Sequence, residues 1–167
     1  MHESKGIPEL IAAYRSYRAA HGEKSPELLL IGRNHLKHPI DFAALPGVRL
    51  CGELSAETTY RLIAHAERVI LPSKSEGMPR VCLEAMVLRV PVICPPAVAE
   101  FDLHCPRNVL REVTAEAIRE MLELPRETLI VNGYPMKCHD WKSIGALLCT
   151  VYKRLYDRTA SVSLATQ

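Results

Sequence analysis

The stretch Leu71-Pro72-Ser73-Lys74-Ser75-Glu76-Gly77-Met78-Pro79-Arg80-Val81-Cys82-Leu83-Glu84-Ala85-Met86 decides how this chain is read. It opens on the end of a short aliphatic run, Val69-Ile70-Leu71, that Pro72 stops as a strand. A loop carrying Glu76 and Gly77 follows, and Pro79 then suits a helix start, where its missing N–H has no partner to lose. The helix runs to about Leu88 and is apolar nearly all round, so it is expected to be buried on most sides. Glu84 is the exception inside it, and a carboxylate in such a segment is costly unless it has a partner or a task. Seven residues separate it from Glu76.

Working outward, helix and strand alternate. Ile7, Leu10, Ile11, Tyr14 and Tyr17 recur at helical spacing over residues 6 to 20 and stop at Gly22. Leu28 to Ile31 is a continuous apolar run closed by Gly32, and Val48 to Cys51 is another closed by Gly52. Between them, residues 33 to 47 read as loop, with one helical turn at Asp41 to Leu45. Ser55 caps a helix reaching Ala66. Pro91 to Cys94 and Asn108 to Leu110 are further short strands. Thr114 caps a helix to Leu124, another spans 126 to 133, and a long last helix starts near Asp140. Short buried strands alternating with helices predict an α/β fold, a doubly wound parallel sheet covered on both faces. One domain over residues 1–158, with a polar tail at 159–167, is the expected organisation.

Bulk properties narrow the function classes. The chain has 167 residues, enough for a real core, and a net charge of +2, too small to argue for nucleic acid. No apolar run is long enough for a membrane span, and no signal peptide opens the sequence, so a cytoplasmic protein is the expectation. Six cysteines without a C-x-x-C pair fit a reducing compartment. His104-Cys105 and Cys138-His139 have no spacing that requires zinc, and the plain reading is unpaired thiols.

In an open parallel sheet, ligands bind at the carboxyl ends of the strands, beside helix N-termini that attract anions. Glu84, one and a half turns into its helix, is placed to accept both hydroxyls of a ribose, and Glu76 to meet a sugar beyond the phosphates. The same pattern admits a plainer reading. Arg80 and Glu84, four apart, pair on a solvated face, and Glu76 is an ordinary loop charge.

Here the residues resemble a known family. Pro72-Ser73, Glu76-Gly77, Leu83-Glu84-Ala85-Met86 and Val90-Pro91-Val92-Ile93 are similar to the E-x7-E signature of retaining glycosyltransferases of family 4, which have the GT-B fold of two Rossmann-like domains. Lys5-Gly6 before Leu10-Ile11, the runs ending in Gly32 and Gly52, and Asp140-Trp141 with Val151-Tyr152 extend the likeness over about residues 5 to 156. The resemblance implies the Rossmann-like C-terminal half of a GT-B fold. It implies that Lys5 neutralises the diphosphate of a nucleotide-sugar donor, that Glu76 contacts the transferred sugar beside the backbone of Gly77 and Met78, and that Glu84 holds the ribose. Gly52 to Leu54 would lie against the base, with Ser73, Pro79 and Arg80 completing the donor loop. The nucleotide-diphosphate sugar is then a substrate, no cofactor is implied, and the absence of any D-x-D agrees with chemistry independent of metal.

Departures from the family pattern shape the expectation. Pro79 stands where Gly is usual, and Pro95-Pro96-Ala97-Val98-Ala99-Glu100 replaces a Gly-rich turn. The family's first strand, its Arg and its acceptor domain have no counterpart in this sequence. A doubly wound sheet lacking its central strand exposes two rows of unpaired backbone groups. The expectation is therefore a donor-binding half of a longer enzyme, or a gene fragment, inactive in transfer alone, with a partner chain as another source of the strand. The glycan or lipid-linked acceptor would be held by the N-terminal domain, leaving room for peripheral membrane association of the full enzyme. Two other functions stay in view: a non-catalytic nucleotide-sugar-binding module, and a nucleotide-sugar epimerase, whose distinctive motif is not seen.

Overall fold

The structure, a computed structural model, describes residues 3–33, 40–96 and 98–129, together with Lys142 and Ala146. The chain divides into two compact units, Met1–Tyr134 and Pro135–Gln167. In the second, Lys142 and Ala146 are helical. The rest of the helix expected from Asp140, the tail from 159 and the Cys138-His139 pair lie outside the described residues.

The first unit runs α1 (Ile7–His21), β1 (Leu28–Ile31), β2 (Val48–Gly52), α2 (Ala56–His65), β3 (Val69–Ile70), α3 (Arg80–Val87), β4 (Val92–Ile93), α4 (Ala99–His104) and α5 (Ala115–Glu123), with 3-10 turns between. Both expected caps form. The Ser55 hydroxyl accepts from the Thr58 N–H at 3.1 Å and that of Thr114 from the Ala117 N–H at 3.2 Å, each satisfying a donor at its helix start. Pro79 is the cap of α3 rather than its first residue, and its carbonyl accepts from the Cys82 N–H at 3.1 Å.

α1 buries Ile7, Leu10, Ile11, Ala13 and Tyr14 and packs against Ile118 and Leu122 of α5. The Tyr14 hydroxyl donates to the Pro26 carbonyl at 2.7 Å and lies 3.0 Å from that of Gly47, so α1 is pinned where β1 and β2 begin. Arg68 does the same from the other side. Its guanidinium, 10% exposed, donates to the carbonyls of Met121, Leu122 and Leu124. Those are the unsatisfied acceptors at the C-terminal end of α5, where a cation is also favoured by the helix dipole.

The strands are parallel, as expected, but they form two pairs rather than one sheet. β1 pairs with β2, from Leu28 opposite Val48 to Leu30 opposite Leu50. β3 pairs with β4, Val69 opposite Val92 and Ile70 opposite Ile93, and Cys94 continues this pair by a parallel bridge to Val109. The expected strand at 108–110 is thus reduced to that bridge, following a 3-10 turn at Pro106–Asn108. α3 also departs from expectation. Cys82, Ala85 and Met86 are buried, but Val87 and Leu88 face outward, because the helix is covered on one side only.

Around β4 the packing is tight. Val90, Val92, Ile93, Cys94, Phe101 and Leu110 are all fully buried. The buried Asn108 side chain donates to the Val92 carbonyl at 2.8 Å, satisfying a strand-edge acceptor. The Cys94 thiol is held well above its usual range by hydrogen bonds with Cys105 and Cys82 and by burial, so it stays protonated as a core side chain.

Candidate functional site

The loop between β3 and α3 is built against the chain's N-terminal turn, Glu3–Lys5. Gly6 makes this approach possible. It caps α1 in the left-handed conformation, φ 62°, and a Cβ there would stand 2.1 Å from the Pro72 carbonyl oxygen and 2.7 Å from a methyl of Val113. Only glycine fits both the conformation and the space. With the backbones this close, the Lys74 N–H donates to the Ser4 carbonyl at 2.8 Å. Ser73 is fully buried, its hydroxyl within 3.3 Å of the Ser75 carbonyl.

Two ion pairs cross this junction. The Lys5 ammonium meets the Glu76 carboxylate at 2.5 Å, with the side chains 41% and 17% exposed. Lys74 meets Glu9 at 2.6 Å, and Glu9 sits in the first turn of α1, where the helix dipole favours an acid. Lys5 and Glu76 are 71 positions apart, so the fold brings together residues that no local spacing connects.

Glu84 lies on α3, its side chain 26% exposed. One oxygen stands 3.4 Å from the Tyr60 hydroxyl of α2 and 3.5 Å from the Arg80 guanidinium. The Arg80 side chain is 84% exposed, so this pair sits in water and restrains Glu84 weakly. Lys5, Glu84, Leu71 and Pro72 line one common cavity. Gly77 is exposed and a side chain there would meet nothing, which leaves its backbone open to a ligand.

At the carboxyl ends of β1 and β2, the Gly32 N–H donates to the Gly52 carbonyl at 2.7 Å, with Gly52 at φ 69°. Arg33 and Glu53, just beyond, pair at 2.9 Å. That hydrogen bond and the attraction of the Glu53 charge raise the Arg33 pKa further. Among the described residues, the turn Gly52 to Leu54 makes no hydrogen bond or ion pair with Lys5, Glu76 or Glu84. The structure therefore joins Lys5 to Glu76 directly, places Lys5 and Glu84 around one cavity, and leaves the turn at Gly52 as a separate ledge. Two participants had no signal in the sequence. Tyr60 reads there as one more residue of an amphipathic helix, and the Lys74–Glu9 pair spans elements that only the fold brings together. Among the described residues, no group of three or more His, Cys, Asp or Glu stands close enough to hold a metal ion. No helix among them is long and apolar enough to cross a membrane.

Comparisons with known proteins give the family of the chain. Residues 1–123 match the family described as glycosyl transferases group 1. The chain is also 36% identical, over 90 residues covering 54% of its own length, to the glycosyltransferase TuaC of Bacillus subtilis (strain 168), a protein assigned by name to teichuronic acid biosynthesis. The matched stretch spans 21% of that relative. The mixed α/β architecture with short parallel sheets is that of the Rossmann-like half of a GT-B glycosyltransferase. The chain belongs to the group 1 glycosyltransferases.

Proposed function

We propose that this chain binds the donor in a retaining sugar transfer of the family 4 type, moving a sugar from a nucleotide diphosphate to a glycan or glycolipid acceptor in the making of a surface polysaccharide. The observation that carries this reading is the meeting of Lys5 with Glu76 of the loop before α3, Lys5 lining the cavity that Glu84 also lines. In this reading Glu84 accepts the ribose hydroxyls, the role that accounts for a half-covered carboxylate with one distant hydroxyl partner and one solvated cation. Glu76 and the backbone of Gly77 and Met78 receive the sugar. Pro79 and Arg80 flank the phosphates, Ser73 anchors the loop, and Gly52 to Leu54 form the ledge for the base.

Lys5 has the central chemical role. As the bond to the sugar breaks, negative charge gathers on the leaving diphosphate, and a cation already fixed beside it lowers the barrier. Without donor, Glu76 holds Lys5 at the site. With donor, the phosphate takes over Lys5 and Glu76 is released to the sugar hydroxyls. Donor binding is the step that these residues perform.

Isothermal titration with UDP-glucose, UDP-N-acetylglucosamine and GDP-mannose tests the reading. At least one is expected to bind, with Glu84→Ala weakening it about tenfold, the loss of one or two hydrogen bonds to a charged group. Equal affinity in the two proteins would sink the ribose assignment.

A further inference from the structure

Three buried thiols meet at the end of β4. Cys82 comes from α3, Cys94 follows β4 and Cys105 closes α4, and none is more than 2% exposed. The backbone ties two of them together. The Cys94 N–H donates to the Asn108 carbonyl at 2.7 Å, and the Asn108 N–H donates to the Cys105 carbonyl at 2.9 Å. The Leu110 N–H closes on the Cys94 carbonyl at 3.0 Å, and the buried Asn108 side chain holds the Val92 carbonyl. Cys94 and Cys105 are thus fixed on either side of one residue, with their thiols hydrogen-bonded to each other. Cys94 stands in the middle, since its thiol also bonds with that of Cys82. Among the described residues, no group of three or more His, Cys, Asp or Glu could hold a metal ion, which sets a metal centre aside and leaves thiol chemistry.

The three thiols are not equivalent. Cys94 donates its S–H to Cys105, which pushes the Cys94 pKa up, and the bond with Cys82 and burial add to the rise. The same bond lowers the Cys105 pKa, against the opposing effect of burial. Thiolate character therefore gathers on Cys105, and the thiolate is the form that oxidants attack. Position agrees with this. Cys105 sits in a turn just under the surface, with His104, Pro106 and Arg107 exposed on either side of it. α4 before it has only six residues and is capped by Val98 without a side-chain hydrogen bond. Short, weakly capped elements of this kind open locally without global unfolding. Cys94 lies in the core behind it, fully buried.

We propose that Cys94 and Cys105 form a reversible disulfide in response to a hydroperoxide, with Cys105 as the sulfur attacked first and Cys94 as the one that resolves it. The Cys105 thiolate attacks a peroxide oxygen. An S–O bond forms, the O–O bond breaks, and the departing oxygen takes up the proton that Cys105 had released. Cys105 is then a sulfenic acid. The Cys94 sulfur attacks the Cys105 sulfur, the S–S bond forms and the S–O bond breaks, and the hydroxide leaves as water with the Cys94 proton. Two electrons pass from the thiol pair to one peroxide, and a dithiol reductant returns the pair to thiols. The bond clamps residues 95–104, α4 included, onto the end of β4. It uses none of the residues assigned to the donor, so it stands apart from that reading.

The test treats the folded, reduced full chain with hydrogen peroxide, removes the peroxide with catalase, and unfolds the chain in N-ethylmaleimide. Trypsin then releases residues 90–107 as one peptide carrying both Cys94 and Cys105, while Cys82 leaves on residues 81–89. The expected product is peptide 90–107 lighter by two hydrogens and free of maleimide, with both thiols recovered after dithiothreitol. Cys82→Ala should link as the parent does. Cys94→Ala should leave Cys105 as a sulfenic acid that dimedone traps, and Cys105→Ala should leave Cys94 a thiol. If a variant loses its cooperative melt, the parent chain decides alone. Recovery of peptide 90–107 with both thiols labelled, once the half-buried Cys51 has been oxidised, overturns the proposal. So does a link that forms only in urea, a link from Cys94 to Cys82 in place of Cys105, or a sulfenic acid on Cys94 in Cys105→Ala.

Discussion

The strands are made of similar residues and end in different states. Leu28 to Ile31 and Val69 to Leu71 are as aliphatic as Val92 to Cys94, yet only the last is wholly buried, while Ile31 is 36% exposed. β4 is covered along both edges, by β3 on one side and the Val109 bridge on the other, and Phe101 and the Cys82, Ala85 and Met86 face of α3 are buried with it. β1 and β3 each have one edge on the cavity. Burial here follows the number of covered edges rather than hydrophobicity. The closely packed part of this unit is the β4 side, and the cavity lies along β1 and β3.

The largest test of that contrast pits Ile93→Ala against Leu29→Ala. Ile93 is fully buried, and its truncation is expected to cost about 3–4 kcal/mol, the transfer loss plus a cavity that the neighbours cannot close. Leu29 is half-buried beside an existing void, so its truncation should cost only about 1 kcal/mol. Urea midpoints measure both. Similar losses would mean that β1 and β4 are equally packed and would break the comparison.

Next comes Arg68, which ties the start of β3 to the end of α5. Removing the guanidinium strands three carbonyls at a helix C-terminus, and Arg68→Ala is expected to cost about 2–3 kcal/mol. Arg68→Lys should recover less than half, since one ammonium cannot reach all three acceptors in the fork geometry of arginine. Gly6→Ala is expected to follow at about 2 kcal/mol, since alanine there is forced into a left-handed backbone and against the Pro72 carbonyl. Its particular signature is that the Lys5–Glu76 pair separates, so donor affinity falls with stability. A variant equally destabilised at Ile93 should keep its donor affinity once it is folded.

The sequence made much of this legible, and the reasons for the rest are physical. The caps at Ser55 and Thr114 and the runs at Leu28 and Val48 were readable because they rest on local hydrogen bonding and on contiguous apolar residues. The outward face of α3 was not. Val87 and Leu88 look buried by composition, and only the absence of a covering element on that side exposes them. α4 escaped notice because the prolines before it and its six-residue length hide any period. In the candidate site, Glu84 stood out as an acid in an apolar helix, Glu76 was a loop acid marked by its spacing from Glu84, and Lys5 came in through resemblance alone. That Lys5 touches Glu76, and that Tyr60 stands beside Glu84, are consequences of chain crossings that no window of sequence contains.

The smallest expected effect is at Arg80, and it separates the two readings of the pair Arg80 and Glu84. If the pair existed for stability, Arg80→Ala and Glu84→Ala should each cost the same few tenths of a kcal/mol, since a solvated pair at 3.5 Å is worth no more. Both are expected to fall within about 0.5 kcal/mol of the parent in urea. Donor titration then divides them. On the proposed reading, Glu84→Ala loses the carboxylate that receives the ribose, whereas Arg80→Ala removes a side chain that is mostly in water. A donor affinity lowered less than threefold by Arg80→Ala, beside about tenfold for Glu84→Ala, places the work of this helix in its acid. Equal losses would make the pair a single binding unit and give Arg80 the phosphate contact that Pro79, lacking an N–H, does not provide.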